Sequence, residues 1–237
     1  VREGGRLDAE ARARGTTVYL VDRRVDMLPE LLSADLCSLV AGKDRLAMSC
    51  VWPVDEGLEV CGPPWMGRTV IRSRHQLHYA QAQALVDGTP PPRAEDDIGG
   101  AEAGQVAADL RVLVGVADAL RARRERDGAL ELASAEMRFD LGPDGAPRGV
   151  VTKSELPMMK TIAEMMIAAN AAVATATSKA FPSAALVRRH PPPRAGALEE
   201  LAQLAEAQGL PLDVSTPAAF AATVGAAAAA ARDGGAA

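Results

Sequence analysis

The chain has 237 residues, 48% of them apolar and 24% charged, with a formal net charge of −5. That is enough chain for one large domain or two small ones with a sizeable core, in the globular range. The net acidity means that a nucleic-acid partner has to be held by a local basic surface, because the whole-chain field does not attract one.

Three cysteines, Cys37, Cys50 and Cys61, form no C-x-x-C pair, and their number is odd. A disulfide framework is not expected, and a reducing, intracellular compartment is. No apolar run approaches the roughly 18 residues that span a bilayer, so no membrane partner is expected. Aromatics are only 3% and alanine is heavily used, which predicts thin cores. Val1 to Gly5 reads as neither a signal peptide nor a translation start, and is expected to be the interior of a longer chain.

In chain order, Leu7 to Ala13 is compatible with a short helix ended by Gly15. Thr16 to Val21 is rich in β-branched and aromatic residues, as in a short buried strand. The polar run Asp22 to Asp26 breaks it, and Met27-Leu28-Pro29 predicts an extended or turning connector. Leu46 to Trp52 reads as a buried strand. Leu58 to Cys61 and Arg68 to Arg74 read as two more, giving a meander of about four strands. In the last of these, Val70, Arg72 and Arg74 fall on one face and Thr69, Ile71 and Ser73 on the other.

Helical patterns follow. Gln76 to Val86 is one, ended by Asp87-Gly88 and the prolines after it. Residues 88–104 are rich in proline, glycine and acid and predict a flexible insertion. Gln105 to Arg126 carries Val106, Leu110, Leu113, Ala117 and Leu120 on one stripe. Ala129 to Leu141 and Gly149 to Thr152 predict a hairpin. Ser154 is a candidate N-cap for a helix over about 155–178, with Pro157 tolerated in its first turn. A helix over about 196–208, a strand from Leu210 to Val214 and an alanine-rich helix over 217–232 complete the chain.

The order of residues carries more than their periodicity. Tyr19 to Leu39 has the pattern YLVDRR-x-x-MLP-x-x-LS-x-x-LCSL. Further on come Leu77-His78-Tyr79-Ala80-Gln81-Ala82-Gln83, then Arg123-Arg124 with Gly128-Ala129-Leu130 and Leu132-Ala133-Ser134, then Glu164-Met165-Met166 before Ala169-Asn170, then Phe181-Pro182 with Arg188-Arg189-His190-Pro191. Together these resemble the RNB (ribonuclease II) family of 3′→5′ exoribonucleases, in the branch of the exosome's catalytic subunit. The resemblance covers roughly residues 1–216, with 217–237 a helical tail. It implies an α+β fold, a bent mixed sheet flanked by helices that forms part of an RNB catalytic domain.

The resemblance also implies a chemistry: metal-assisted hydrolysis of single-stranded RNA, with Mg2+ as the expected ion. The family's metal-binding D-x-x-x-x-x-D-x-DD run is missing from this sequence, and its late catalytic arginine belongs beyond Ala237. Glu95-Asp96-Asp97 is the nearest acidic cluster, in a loop where such acids are usually just solvated. The chain alone is therefore expected to be inactive.

What remains is an RNA path. By resemblance, Tyr19 is a base-stacking ring near the active site; the plain alternative is a core tyrosine. Tyr79 by resemblance holds 3′-terminal nucleotides; alternatively it packs on a helix face. Glu164 by resemblance contacts a ribose 2′-hydroxyl, the group that distinguishes RNA from DNA; the alternative is a surface pair with Lys160 at i,i+4. Arg68, Arg72 and Arg74 form a basic group for phosphates, with Arg74 chosen as an RNA contact. Arg121, Arg123, Arg124 and Arg126 form another, or simply complement a helix C-terminus. Arg188, Arg189 and His190 form a third. His75, His78 and Cys61 lack the ligand spacing of a zinc site. Single-stranded RNA is the expected partner, exosome core subunits a further one, and DNA is not expected; the expected location is nucleus or cytoplasm, or an organelle. A module that has lost its acids and only binds RNA or scaffolds is the second reading.

Overall fold

A computed structural model describes residues 1–93, 97–130, 137–142, 147–152, 155–189, 191–194 and 196–234. Its elements run α1 (Arg6–Arg14), β1 (Val18–Tyr19), β2 (Arg24–Val25), a π-helical turn (Leu31–Leu36), β3 (Asp44–Val51), β4 (Trp65–Arg72), α2 (Tyr79–Asp87), α3 (Gly100–Arg126), β5 (Met137–Leu141), β6 (Pro147–Thr152), α4 (Pro157–Ala180), α5 (Ala197–Glu206) and α6 (Pro217–Gly234).

The core lies where α2, α3 and α4 pack on one another. Its buried apolar side chains are mostly small: Ala82 and Ala84 on α2 and Ala107, Val116 and Ala117 on α3, with Met158 of α4 the one large side chain among them. Alanine seams let helix backbones approach closely, at the cost of little apolar area per residue. Polar ties compensate. Arg111 of α3 donates through Nη2 to the Val86 carbonyl at 3.0 Å and the Leu85 carbonyl at 3.4 Å. These are terminal carbonyls of α2, which lack partners in their own helix. At the start of α4, the Met158 N–H donates to Gln83 Oε1 at 2.9 Å.

The α+β class holds, with its strands divided into three antiparallel two-stranded sheets. The expected four-stranded meander is not formed among the described residues. Leu58 to Cys61 contributes only the isolated bridge Val54↔Val60, and a parallel bridge joins Ala41 to Ser73. Leu210 to Val214 is irregular chain.

Two expected buried strands are also corrected. Thr16 to Val21 shrinks to the two residues of β1, with Tyr19 77% exposed. Asp22 to Asp26, expected only to break the strand, supplies the turn and the return strand β2. β3 is half-buried on one face only, with Leu46 and Met48 exposed on the other. Continuous apolarity cannot tell a strand covered on both faces from one covered on one. In β4, Val70 and Arg72 are exposed while Thr69 and Ile71 are half-buried, as the alternation predicts.

Helix positions follow the sequence patterns closely. Gly15 ends α1 at φ 71°, and Gly88 ends α2 at φ 69°. α3 begins at Gly100, inside the stretch expected to be a flexible insertion. Residues 94–96, 131–136 and 153–154 lie outside the described residues, and with them most of the Glu95-Asp96-Asp97 cluster, the first part of the expected 129–141 strand, and Ser154. The residue preceding α4 is Leu156, with Pro157 opening the helix. No helix among the described residues is long and apolar enough to cross a membrane.

Candidate nucleic-acid interface

The first candidate surface is the β1–β2 hairpin. The Leu20 N–H donates to the Arg23 carbonyl at 2.8 Å, closing the tip around Val21 and Asp22. Val18 pairs with Val25 and Tyr19 with Arg24. Asp26, just after β2, anchors the base. Its carboxylate takes Arg24 Nε at 2.5 Å and Ser33 Oγ at 3.2 Å, and its carbonyl accepts from Arg14 of α1 at 2.7 Å. The Met27 N–H donates to Thr17 Oγ1 at 3.2 Å. Tyr19 is thus an exposed ring on a hairpin anchored from below, not a core tyrosine.

Tyr79 opens α2 and is 44% exposed. The preceding residue, His78, caps the helix: its Nδ1 accepts from the Gln81 N–H at 3.2 Å, and Gln81 Oε1 accepts from the His78 N–H at 3.3 Å. Arg74 is exposed in the segment joining β4 to α2. Next to it, His75 Nε2 meets Glu102 of α3 at 3.0 Å. Both histidines therefore have roles other than metal binding.

Glu164 is buried, at 5% exposure, on the face of α4 that meets α3. Arg124 donates to it twice, Nε to Oε2 at 3.0 Å and Nη2 to Oε1 at 2.6 Å, and Arg121 Nε stands 3.7 Å from Oε1. This is not the surface carboxylate of the i,i+4 alternative; Lys160 meets Glu155 at 3.6 Å. Arg121, Arg124, Lys160, Glu155, Glu164 and Ile167 are among the residues around a cleft of about 250 Å³. Tyr79 and Glu164 thus belong to one helical trio, and Tyr19 to a separate hairpin. Neither tyrosine lines the cleft at Glu164.

Among the basic groups, Arg68, Arg72 and Arg74 are exposed. Arg72 hydrogen-bonds Asp44 across the β3–β4 pair at 2.7 Å, which holds the Asp44 carboxyl below its usual range and raises the arginine. Arg188 and Arg189 are exposed; His190 is outside the described residues. No three His, Cys, Asp or Glu side chains converge among the described residues, so these do not fit a divalent ion.

Sequence reasoning missed Arg124 as the partner of Glu164, because a contact 40 residues apart leaves no local spacing to read. It also missed Arg24 and Asp26. There the signal was present: a turn-sized polar run between two short β-forming stretches predicts a hairpin.

Residues 1–231 match the RNB domain family. The chain is 41% identical over 222 residues to "Exosome complex exonuclease RRP44 homolog A" of Arabidopsis thaliana, covering 93% of this chain and 22% of that protein. It therefore spans about a fifth of that relative's length. Among solved structures, RNase R of Mycoplasma genitalium in complex with ribose-methylated single-stranded RNA superimposes with a TM-score of 0.81 at 22% identity, over 95% of this chain and 34% of that one. Yeast Ssd1, described as a pseudonuclease, superimposes with a TM-score of 0.66 at 20% identity, over 91% of this chain and 25% of that one. At those identities the two structures speak to the fold alone.

Proposed function

This chain belongs to the RNB domain family, and from that premise we propose that it is the RNA-binding portion of a 3′→5′ exoribonuclease that degrades single-stranded RNA. The observation that carries the reading is the extent of the likeness: 41% identity, covering 93% of this chain, to an exosome exonuclease homologue. In this reading Tyr19 stacks on a base, Tyr79 holds a nucleotide near the 3′ end and Arg74 meets a phosphate, while Glu164, buried and held by Arg124 through both oxygens, accepts from a ribose 2′-hydroxyl only once that arginine yields. Stacking on an exposed ring tolerates any base, as a degradative enzyme requires. The sugar contact supplies the preference for RNA.

The hydrolytic step belongs to a divalent ion, Mg2+ in our reading. Because the described residues do not fit such an ion, no step through it is assigned to this chain, and the chain alone is expected not to hydrolyse RNA. Exosome core subunits are the proposed protein partners, and nucleus and cytoplasm the proposed location.

A second reading, a catalytically inactive RNA-binding or scaffold module, is supported by 36% identity over 221 residues to "Inactive exonuclease DIS3L2" of Arabidopsis thaliana. Fluorescence anisotropy with labelled single-stranded RNA, and with DNA of the same sequence, tests the RNA-binding claim common to both. Tighter binding to RNA, weakened about 5- to 150-fold by Tyr19→Ala, is expected from the ~1–3 kcal/mol of a base–ring stack. Equal affinity for DNA, or indifference to Tyr19→Ala, contradicts it. Incubation of the same RNA with Mg2+ should leave it intact; mononucleotide release would refute the assignment of the metal ligands elsewhere. The sequence upstream of Val1 in the parent gene separates the readings, an aspartate cluster there favouring the nuclease.

A further inference from the structure

The β1–β2 hairpin carries a second chemical group that the reading above leaves unused. Tyr19 and Arg24 are direct cross-strand partners. The neighbouring pair, Leu20 with Arg23, is the one joined by a backbone hydrogen bond. In an antiparallel ribbon the two pair types alternate, so Tyr19 and Arg24 occupy a non-hydrogen-bonded pair. Such pairs hold their side chains on one face and closer together than the hydrogen-bonded kind. Both side chains are open to solvent: Tyr19 is 77% exposed and the Arg24 side chain 47%.

Arg24 is also held in place. Asp26, whose side chain is only 16% exposed, takes Arg24 Nε at 2.5 Å and Nη2 at 3.1 Å. Asp26 is in turn fixed by Ser33. A guanidinium has five N–H donors in a rigid fork, and these two bonds engage one edge of it. The other edge is available to a second acceptor. The hydrogen bond to Asp26, then its charge, hold the Arg24 guanidinium above its usual range.

We propose that Tyr19 and Arg24 form a two-part nucleotide grip, with the base stacked on the Tyr19 ring and the adjoining phosphate held by the outer edge of Arg24, which Asp26 orients. The ligand class is a single-stranded nucleic acid, and the proposal rests on the RNA-binding reading. Ring and charge do different work. Stacking is nearly independent of salt, whereas a phosphate contact releases counterions and steepens the salt dependence by about 0.7 in the slope of log K against log salt for a single strand. A lone exposed arginine on the opposite strand face would contribute to the general field without this pairing. Arg23, the residue before Arg24, points to the other face by strand alternation and pairs with Asp22 at 3.0 Å.

The test is the affinity of the chain for a labelled single-stranded oligoribonucleotide, measured by anisotropy over a series of salt concentrations. Arg24→Gln should lower the slope by about 0.7 and weaken binding about five-fold at 0.1 M salt. Arg24→Lys should restore most of the slope, and Tyr19→Ala should weaken binding with the slope unchanged. Arg23→Gln should change the slope by clearly less than Arg24→Gln. Circular dichroism and melting curves establish that each variant is folded. An unaltered slope in Arg24→Gln, or an equal loss in Arg23→Gln, overturns the grip while leaving RNA binding intact. Failure of the unmodified chain to bind the oligoribonucleotide overturns both this inference and the reading beneath it.

Discussion

Arg124 donates through two nitrogens to the two oxygens of Glu164, at 3.0 and 2.6 Å, joining α3 to α4 across 40 residues of sequence. The pair is asymmetric. The Glu164 side chain is 6% exposed and that of Arg124 is 41% exposed. Removing the arginine strands a carboxylate away from water, whereas neutralising the carboxylate leaves a guanidinium that can still reach solvent. Loss of one member of a buried pair costs about 3–5 kcal/mol. Here the partial exposure of Arg124 and the nearby Arg121 reduce that figure. Arg124→Ala should destabilise the chain by about 2 kcal/mol and Glu164→Gln by about 1 kcal/mol, read from urea unfolding midpoints. The reverse order would mean that Glu164 is hydrated.

Gly128 fixes where α6 meets the rest of the chain. Its φ is +91°, and an added Cβ would lie 2.7 Å from the Ala218 nitrogen and 2.9 Å from the Pro217 carbonyl carbon. Both obstacles are backbone, which cannot swing aside. Gly128→Ala should cost about 2 kcal/mol or more through strain and displaced packing. Hydrogen exchange should reveal faster exchange across α6 than in the unmodified chain, with α2 little affected. Uniform exchange changes would contradict this local docking.

Gly115 and Leu58 form a matched notch and knob. A Cβ on Gly115 would run into Leu58 Cδ1, the far end of a side chain from the β3–β4 connection. Leu58 itself has φ 63°, an unusual conformation for a residue with a branched side chain. Gly115→Ala sets a helix-propensity gain of up to about 1 kcal/mol against displacement of the Leu58 tip, so it should change stability by less than about 1 kcal/mol, and should stabilise the chain in a Leu58→Ala background. A double-mutant cycle in thermal unfolding measures the coupling. Additive effects would show that the two side chains do not compete for the same space.

Asp44 and Arg72 tie the outer ends of β3 and β4 together at 2.7 Å. The hydrogen bond from Arg72, then its charge, hold the Asp44 carboxyl below its ordinary 3.8. A lowered folded value favours the folded chain above the unfolded value, near 3.8, and that contribution is lost as pH falls through the folded value. Melting temperatures of the unmodified chain and of Asp44→Asn should therefore differ slightly near neutrality and converge once the pH falls below the ordinary carboxylate range. A difference that persists or grows in acid would rule out the ion pair as its source.

How much of this could be read beforehand depended on whether the signal was local. The helices were legible because stripe, cap and terminator lie within one segment: Gly15 and Gly88 stop α1 and α2 as expected, and Pro157 opens α4. The hairpin of β5 and β6 was legible for the same reason. Burial was not, since Leu46 and Met48 look alike on a covered and an uncovered strand. Strand partnership was half legible: β3 with β4 follows from adjacency, but whether two hairpins join in one sheet depends on contacts that no window contains. At the candidate site, the β1–β2 turn had a local signature in its polar run, whereas the exposure of Tyr19 and the Arg124–Glu164 bridge had none.

The end of α2 has a last implication. That helix is nine residues long, too few to persist by itself in water. Arg111 grips its final carbonyls from a different helix, so the helix that Tyr79 opens is fastened at its far end by a side chain thirty-odd positions downstream. Sever that grip and the helix should fray from the end opposite the ring.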